Sequence, residues 1–379
     1  MKLFLSISFI LSALVVQAQY SIHGVVIDGE TSQPLPGANV FLSNTTKGSS
    51  TDVNGSFHIR DLRPVRYQLV VSFVGYKTEM FDVLPDKPVT YKIILAPAPE
   101  TLSEVVVRSK KMSRKEWLAL LKMFKDHFIG FSDNAKYCDF VNPTVLDFDT
   151  TGALFNSFTG SALDIDNRGL GYRVKVFLQT YQYNRSTTQL TYVGPMNYEL
   201  LSPEDDKEKI RWARNRLKAY YGSPMHFFRA LYNKRLNEEG FYFMIPGKPA
   251  ASDTTIKIDT RLFRQALYVT TIRDYKRILD LDSLDGDPVL KFKGVLEVQY
   301  VKETETKAYQ DNRYKPIEKK PQLSWINITQ PASIEPNGQA WPIEALQYRG
   351  YWSWELMSET LPLDYEPNDD IALLKELDK

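Results

Sequence analysis

The four histidines are the first residues to test for metal or acid–base chemistry. They are His23, His58, His127 and His226, and none begins an H-x-x-E or H-E-x-x-H pattern. Zinc hydrolysis needs about three ligands converging on one ion, and histidine is usually among them. The sequence therefore argues against a zinc peptidase, and it predicts no metal site and no cofactor.

A serine and a histidine lie one helical turn apart in YYGSPMHFF, at Ser223 and His226. A nucleophile and its base can have this spacing. Ser223 is followed by Pro224, however, and this order is typical of a helix N-cap whose hydroxyl accepts a backbone N–H. No G-x-S-x-G pattern occurs in the chain. The sequence favours the cap, and we expect no catalytic residue here.

Two acidic stretches resemble calcium loops. LDIDNRG carries Asp164, Asp166 and Asn167, and LDLDSLDGD carries Asp280, Asp282, Asp285 and Asp287. Each stretch departs from the EF-hand pattern, because Arg168 and Leu284 occupy ligand positions. We expect solvated turns at both.

A third short polar stretch, DVNG, contains Asp52, Asn54 and Gly55. A calcium loop would need a further acidic ligand, and none follows before Asp61. Aspartate favours the first position of a type I turn, and glycine tolerates positive φ where the chain rejoins its partner strand. The sequence predicts a hairpin turn.

The segment from Lys207 to Arg235 is strongly basic, with Glu208 as its one acidic residue. The residues expected to form a binding face are Lys207, Arg211, Arg214, Lys218, Arg229, Lys234 and Arg235. Clustered basic side chains attract anionic lipid headgroups, phosphates and acidic glycans. The alternative is an ordinary solvated face of two amphipathic helices, balanced by acidic residues at its flanks.

The N-terminus predicts export. MKLFLSISFILSALVVQAQ has one positive charge, an apolar run and small residues before Gln19, the layout of a secretory signal peptide over residues 1–18. Cys138 is the only cysteine, so no internal disulfide can form, and we expect a buried, inert thiol. A formal net charge of +1 argues against a nucleic-acid binder.

The residues that follow predict a first domain over residues 20–97. About seven short alternating segments lie between turn residues, from YSIHGVVID to TYKIILA, which indicates an all-β sandwich. Residues 98–112 are expected to be a linker.

The first domain resembles the carboxypeptidase-like regulatory domain, a transthyretin-like β-sandwich. The residues that carry the resemblance are Gly24, Val25, Pro36, Ala38, Val40, Gly48, Thr51, Asp52, Gly55, Phe57, Ile59, Tyr67, Gly75 and Tyr76. The resemblance implies a non-catalytic domain that accompanies enzymes or outer-membrane receptors in Gram-negative bacteria. LSEVVVRSKK, in the linker, is similar to the segment that joins this domain to the plug of TonB-dependent receptors.

Residues 113–379 are expected to form a larger α+β domain, so that the whole chain is mainly β. Ser113 with Glu116 predicts a capping box, and Ser202 and Ser223, each before a proline, predict two further helix starts. GYRVKVFLQTYQYN reads as one long alternating strand. Several stretches resemble uncharacterised exported proteins that carry the same first domain, and this resemblance transfers no mechanism.

These observations predict an exported, non-enzymatic protein of the periplasm or outer membrane that binds or scaffolds. The expected partners are envelope components: lipid headgroups, glycan or a receptor protein. The alternative is an envelope hydrolase or peptidase whose site is built from scattered carboxylates together with Ser223 and His226.

Overall fold

The computed structural model describes residues 20–98, 112–150, 152–244, 255–256, 267–268, 275–276, 278–280, 287–313 and 319–377. Within these ranges the chain is mainly β, as expected. The predicted signal peptide and residues 99–111 of the predicted linker lie outside them. The helices in the described ranges are all too short or too polar to cross a membrane.

Seven strands form the first domain: β1 (Tyr20–Asp28), β2 (Asn39–Leu42), β3 (Gly48–Ser50), β4 (Ser56–Leu62), β5 (Tyr67–Ser72), β6 (Glu79–Val83) and β7 (Thr90–Leu95). They make two sheets, β4-β1-β7 and β3-β2-β5-β6, in which the β1–β7 pair is parallel. Alternate residues such as Ile22, Phe57, Val40 and Leu69 point between the sheets and are buried there. The predicted seven-stranded sandwich is confirmed.

The DVNG stretch is the predicted hairpin turn. The Asp52 carboxylate accepts hydrogen bonds from the backbone N–H groups of Asn54 and Ser56, both at 2.8 Å. Gly55 has φ 70°, and a Cβ at this position would lie 2.5 Å from the Val26 carbonyl oxygen. Only glycine meets both demands without strain.

The second region contains strands β8 (Cys138–Phe140), β9 (Leu146–Asp149), β10 (Leu154–Thr159), β11 (Leu163–Asn167), β12 (Tyr172–Val176), β13 (Thr180–Asn184), β14 (Gln189–Val193), β15 (Met196–Leu200), β16 (Phe241–Met244), β17 (Thr255–Ile256), β18 (Leu267–Tyr268), β19 (Leu279–Asp280), β20 (Val289–Leu290), β21 (Val295–Thr304), β22 (Pro321–Ile328), β23 (Ala332–Ile334), β24 (Ala340–Trp341) and β25 (Leu346–Gly350). Its helices are α1 (Arg114–Phe128), α2 (Asp206–Tyr220), α3 (Pro224–Tyr232), α4 (Leu236–Glu239), α5 (Lys307–Arg313) and α6 (Pro367–Leu377). The larger sheets are antiparallel, with orders β14-β13-β10-β9, β15-β12-β11-β8, β16-β21-β22-β25 and β19-β20-β23-β24.

Two large hydrophobic cores lie in the described part of this region, as expected for an α+β architecture. In one, Phe124 and Phe128 of α1 pack with Tyr181 of β13 and Ile165 of β11, so that the helix and two sheets share a core. In the other, α3 packs on the sheet that contains β21 and β22.

Two boundary predictions were wrong. The segment expected to be one strand is split into β12 and β13, which belong to different sheets, because residues 177–179 cross between them. The helix expected at Ser202 begins at Asp206 instead. Asp205 is its N-cap, and the Asp205 carboxylate accepts from the Glu208 N–H at 2.7 Å. The helix begins there because aspartate is among the most favoured N-cap residues. The predicted caps at Ser113 and Ser223 are confirmed.

The sandwich contacts the second region directly through the turn after β2. Asn44 N–H donates to the Met196 carbonyl at 2.7 Å, and Tyr198 N–H donates to the Thr45 carbonyl at 3.0 Å. The Asp364 carboxylate accepts from the Thr46 N–H at 2.9 Å and from the Thr46 hydroxyl. These bonds align the turn with β15 as a short parallel bridge, so the two parts of the chain are joined by more than the linker.

Candidate functional site

Four basic residues follow one face of α2, and we call them the basic stripe: Lys207, Arg211, Arg214 and Lys218. Their spacing of four, three and four residues places them on one side of a helix. Lys207, Arg214 and Lys218 are exposed and Arg211 is partly exposed, whereas Trp212 and Ala213 on the other side are buried. The predicted basic residues of α2 therefore do share a surface.

The stripe is only partly neutralised by neighbouring carboxylates. Arg211 pairs with Glu208 at 2.8 Å, and Lys218 lies 3.8 Å from Asp133. Among the residues the structure describes, Lys207 and Arg214 form no ion pair. Their charges therefore remain available to an anionic partner.

The other expected binding residues are separated from the stripe. Arg229 of α3 is 8% exposed, and its guanidinium donates to the carbonyl oxygens of Asn337, Tyr365 and Leu363 at 2.9 to 3.0 Å. The prediction that Arg229 belongs to a solvent-facing binding surface was wrong, because every guanidinium nitrogen donates to a carbonyl oxygen inside the protein. Lys234 and Arg235 are exposed at the end of α3, where Arg235 pairs with Glu238 and Glu239.

Ser223 and His226 do not form a nucleophile–base pair. The Ser223 hydroxyl accepts from the His226 backbone N–H at 3.1 Å, as a cap does. The His226 ring faces elsewhere: Nδ1 accepts from the Gly222 N–H at 3.2 Å, and Nε2 lies 3.4 Å from the Glu239 carboxylate. Burial lowers the pKa of His226 to about 4. The predicted cap is confirmed.

The first acidic stretch differs from the expected solvated turn. Residues 164–167 lie in β11, where Asp166 makes a bidentate pair with Arg173 at 2.6 and 2.8 Å. A strand partner therefore occupies the oxygens that a calcium ion would need. In the second stretch Asp280 pairs with Lys291 at 3.0 Å, while Asp282 and Asp285 lie outside the described residues.

Cys138 is buried, as predicted. Burial raises the pKa of its thiol to about 12. At neutral pH the thiol holds its proton, so it is a poor nucleophile and a poor metal ligand.

A cluster of carboxyl groups lies near the C-terminal end of the stripe, and sequence reasoning missed it. We call Glu303, Glu355 and Glu359 the carboxyl cluster. Glu303 accepts from Gln322 Nε2 at 3.1 Å, and Glu359 accepts from Asn134 Nδ2 at 2.9 Å. The three carboxyls come from β21 and from the turns after β25, which are distant in sequence. No local pattern could have indicated them.

Desolvation dominates the electrostatics of this cluster. It raises the pKa of Glu303 to about 7, with opposition from Gln322 and Lys218. It raises the pKa of Glu355 well above its usual value, and the charges of Glu359 and Glu303 add to that shift. The pKa of Glu359 is also raised by burial. Near neutral pH the cluster therefore holds protons that exposed glutamates would release.

Such carboxyls can donate or accept protons, or can hold a cation in place of the protons. In the described part of the chain, no group of three histidine, cysteine or acidic side chains is close enough to hold a metal ion.

Known proteins resemble the first domain in sequence. Residues 22–107 match the family model described as CarboxypepD_reg-like domain. The TonB-dependent receptor SusC of Bacteroides thetaiotaomicron is 36% identical over 89 residues, which are 24% of this chain and 8% of the receptor. TonB-dependent receptor P26 of Formosa agariphila is 36% identical over 98 residues, 25% of this chain and 9% of the receptor. The similarity thus spans less than a tenth of each receptor.

Solved structures resemble the chain only weakly. A type II cohesin–X-dockerin complex from Acetivibrio cellulolyticus matches with 19% identity and a TM-score of 0.18, over 31% of this chain and 80% of that chain. A Bacteroides uniformis protein described as a candidate carbohydrate binder matches with 9% identity and a TM-score of 0.18, over 42% of this chain and 59% of that chain. The sequence match and the observed sandwich together identify residues 22–107 as a CarboxypepD_reg-like domain.

Proposed function

We propose that the chain is an exported cell-envelope protein that binds an anionic envelope component through the basic stripe of α2. The observation that carries this proposal is the exposure of Lys207, Arg214 and Lys218 on one helix face, with the first two free of ion pairs among the described residues. A helix face of this kind can lie on a lipid or lipopolysaccharide surface. Each basic residue near an anionic membrane contributes about 1 kcal/mol.

The sequence similarity of the first domain supports the proposed location in the cell envelope. It is related to a segment of TonB-dependent receptors, and the sequence predicts a signal peptide before it. The backbone bonds at Asn44 and Thr45 hold this domain against the second region. In this proposal the sandwich acts as a rigid scaffold, and the second region carries the contact face.

The experiment compares vesicle binding by the full chain and by the double variant Lys207→Glu/Arg214→Glu. We expect binding to vesicles that contain phosphatidylglycerol to weaken by at least about tenfold, because two attractive charges become repulsive. Wild-type binding should also fall as salt is raised, since exposed charges are screened.

The matched control is Lys77→Glu/Lys87→Glu, which makes the same change in net charge on the exposed surface of the sandwich. We expect it to bind as the wild type does. Equal losses of vesicle binding in both double variants, or wild-type binding that does not change with salt concentration, would overturn the proposed contact face.

A further inference from the structure

The outer face of the β4-β1-β7 sheet carries two histidines that lie directly opposite each other. His23 of β1 and His58 of β4 are partners in the antiparallel register of these strands. Side chains at such paired positions have Cβ atoms about 4.5 to 5.5 Å apart. The two rings meet edge to face, with their centroids 5.9 Å apart. Strand pairing alone brings these residues together, so no pattern along the chain indicates the pair.

Both rings are accessible from solvent. His58 is exposed and His23 is partly exposed, whereas the neighbouring Ile22, Phe57 and Ile59 point into the sandwich and are buried there. The alternation of the two strands therefore places the imidazoles on the side of the sheet that faces away from the core.

Each ring uses one nitrogen in a hydrogen bond to a side chain. His23 Nε2 lies 2.9 Å from the Thr90 hydroxyl, and His58 Nδ1 accepts from Arg60 Nε at 3.1 Å. When Thr90 accepts from Nε2–H, the Nδ1 lone pair of His23 is left for a metal ion, which is the usual arrangement of a histidine ligand. Arg60, by contrast, occupies a lone pair of His58, so a metal ion must displace it.

The separation of the rings suits one shared metal ion. Imidazole nitrogens bind zinc at about 2.0 to 2.1 Å, so an ion shared at square-planar or tetrahedral angles places the two ring centroids roughly 4.5 to 5.2 Å apart. Rings that are 5.9 Å apart reach this separation by moving about 1 Å closer. Exposed histidines make such a movement by small rotations about their side-chain bonds.

The ligand type indicates which ions fit. Neutral imidazole suits copper, zinc and nickel, whereas magnesium and calcium prefer oxygen ligands. Within the described ranges no third histidine, cysteine or acidic side chain completes a metal-binding group, so water would fill the remaining positions. For such an open site the affinity follows the Irving–Williams order, in which Cu²⁺ binds most tightly.

We propose that His23 and His58 together bind one divalent transition-metal ion through one imidazole nitrogen each, and that they bind Cu²⁺ more tightly than Zn²⁺ or Ni²⁺. The ion links β1 to β4 on the outer face of the sandwich. Thr90 positions the His23 ring, and Arg60 opposes binding because it occupies His58 Nδ1 and carries a like charge. The site lies on the first domain and is independent of the basic stripe on α2.

The test is calorimetric titration of the full chain with Cu²⁺, together with electron paramagnetic resonance to count the coordinated nitrogens. We expect the wild type to bind Cu²⁺ through two nitrogens, Zn²⁺ and Ni²⁺ more weakly, and Mg²⁺ not at this site. His23→Gln and His58→Gln should each weaken Cu²⁺ binding by at least about tenfold, because a single ligand remains.

Arg60→Gln should strengthen Cu²⁺ binding by at least about threefold, since a repulsive charge and a competing hydrogen bond are both removed. General damage to the fold does not produce such a gain. The matched control is His127→Gln, the same substitution in the second region, and it should leave Cu²⁺ binding unchanged.

Melting temperatures establish that each variant is folded. A loss of Cu²⁺ binding in only one of the two variants His23→Gln and His58→Gln would overturn the proposal, because the two ligands act together. An equal loss in His127→Gln, or coordination by a single nitrogen in the wild type, would also overturn it.

Discussion

Individual basic residues between Lys207 and Arg235 have different roles in the folded chain. Arg214 reaches solvent from α2, whereas Arg216 of the same helix makes a bidentate pair with the buried Asp370 of α6. Arg229 is enclosed by backbone carbonyls. Residue type alone does not distinguish a contact charge from a structural one, because helix orientation decides which side chains face the core.

The raised pKa of Glu303 predicts how the free energy of unfolding depends on pH. Its folded-state pKa is raised to about 7, so between its usual pKa and about 7 the native state holds a proton that the unfolded chain releases. The free energy of unfolding therefore falls as pH rises through this window. We expect Glu303→Gln to become progressively more stable relative to the wild type from about pH 5 to about pH 8. The ionisable groups that interact with Glu303 are Lys218, Glu355, Tyr300 and Tyr351.

Urea unfolding across that pH range measures the effect. Glu344→Gln is the control, and its difference from the wild type should stay constant. A Glu303→Gln difference that is likewise independent of pH would contradict the raised pKa.

Among the elements, the packing of α3 depends on the buried charge of Arg229. Arg229 connects this helix to the turn at Asn337 and to the segment of Leu363 and Tyr365, and its guanidinium lies 5.5 Å from the Tyr220 ring centroid. Replacement by methionine would leave three carbonyl acceptors without their donor. We expect Arg229→Met to lower the free energy of unfolding by about 3 kcal/mol.

Arg214→Met is the matched control on α2, and we expect it to change the free energy of unfolding by less than about 0.5 kcal/mol. Chemical denaturation of both variants makes the comparison. Similar small losses in the two would show that the carbonyl bonds of Arg229 contribute little.

At the scale of the whole molecule, the sandwich and the second region share backbone hydrogen bonds. Asp364 supports this junction by accepting from both the N–H and the hydroxyl of Thr46. We expect Asp364→Ala to accelerate amide hydrogen exchange at Asn44 and Tyr198, because their N–H groups bond across the junction. The sandwich amide of Val40 should keep its protection.

Asp86→Ala, an exposed change on the sandwich, is the control for this experiment. If Asp364→Ala leaves exchange at Asn44 and Tyr198 unchanged, the junction does not depend on Thr46. If Val40 also loses protection, the substitution has destabilised the sandwich itself.

Interactions between residues close in sequence made much of the fold predictable. The alternation of apolar residues in β1 and β5 identified the sandwich, and the Ser113 and Ser223 caps were readable because a cap and its partner are three residues apart. Prediction failed where a choice depends on distant groups. The segment from β12 to β13 was expected to be one strand, yet it crosses between two sheets, and the consecutive apolar residues Val176, Phe177 and Leu178 interrupt its alternation at the crossing.

The same distinction between local and distant interactions applies to the basic stripe and to the carboxyl cluster. The sequence by itself determined the family of residues 22–107, the mainly β class and the positions of the basic residues, because each depends on neighbours along the chain. Only the tertiary structure decided that Arg229 is enclosed and that Glu303 lies with Glu355 and Glu359. Burial and like-charge proximity arise when strands and turns distant in sequence pack together, and those two effects determine which charged residues remain available to a ligand.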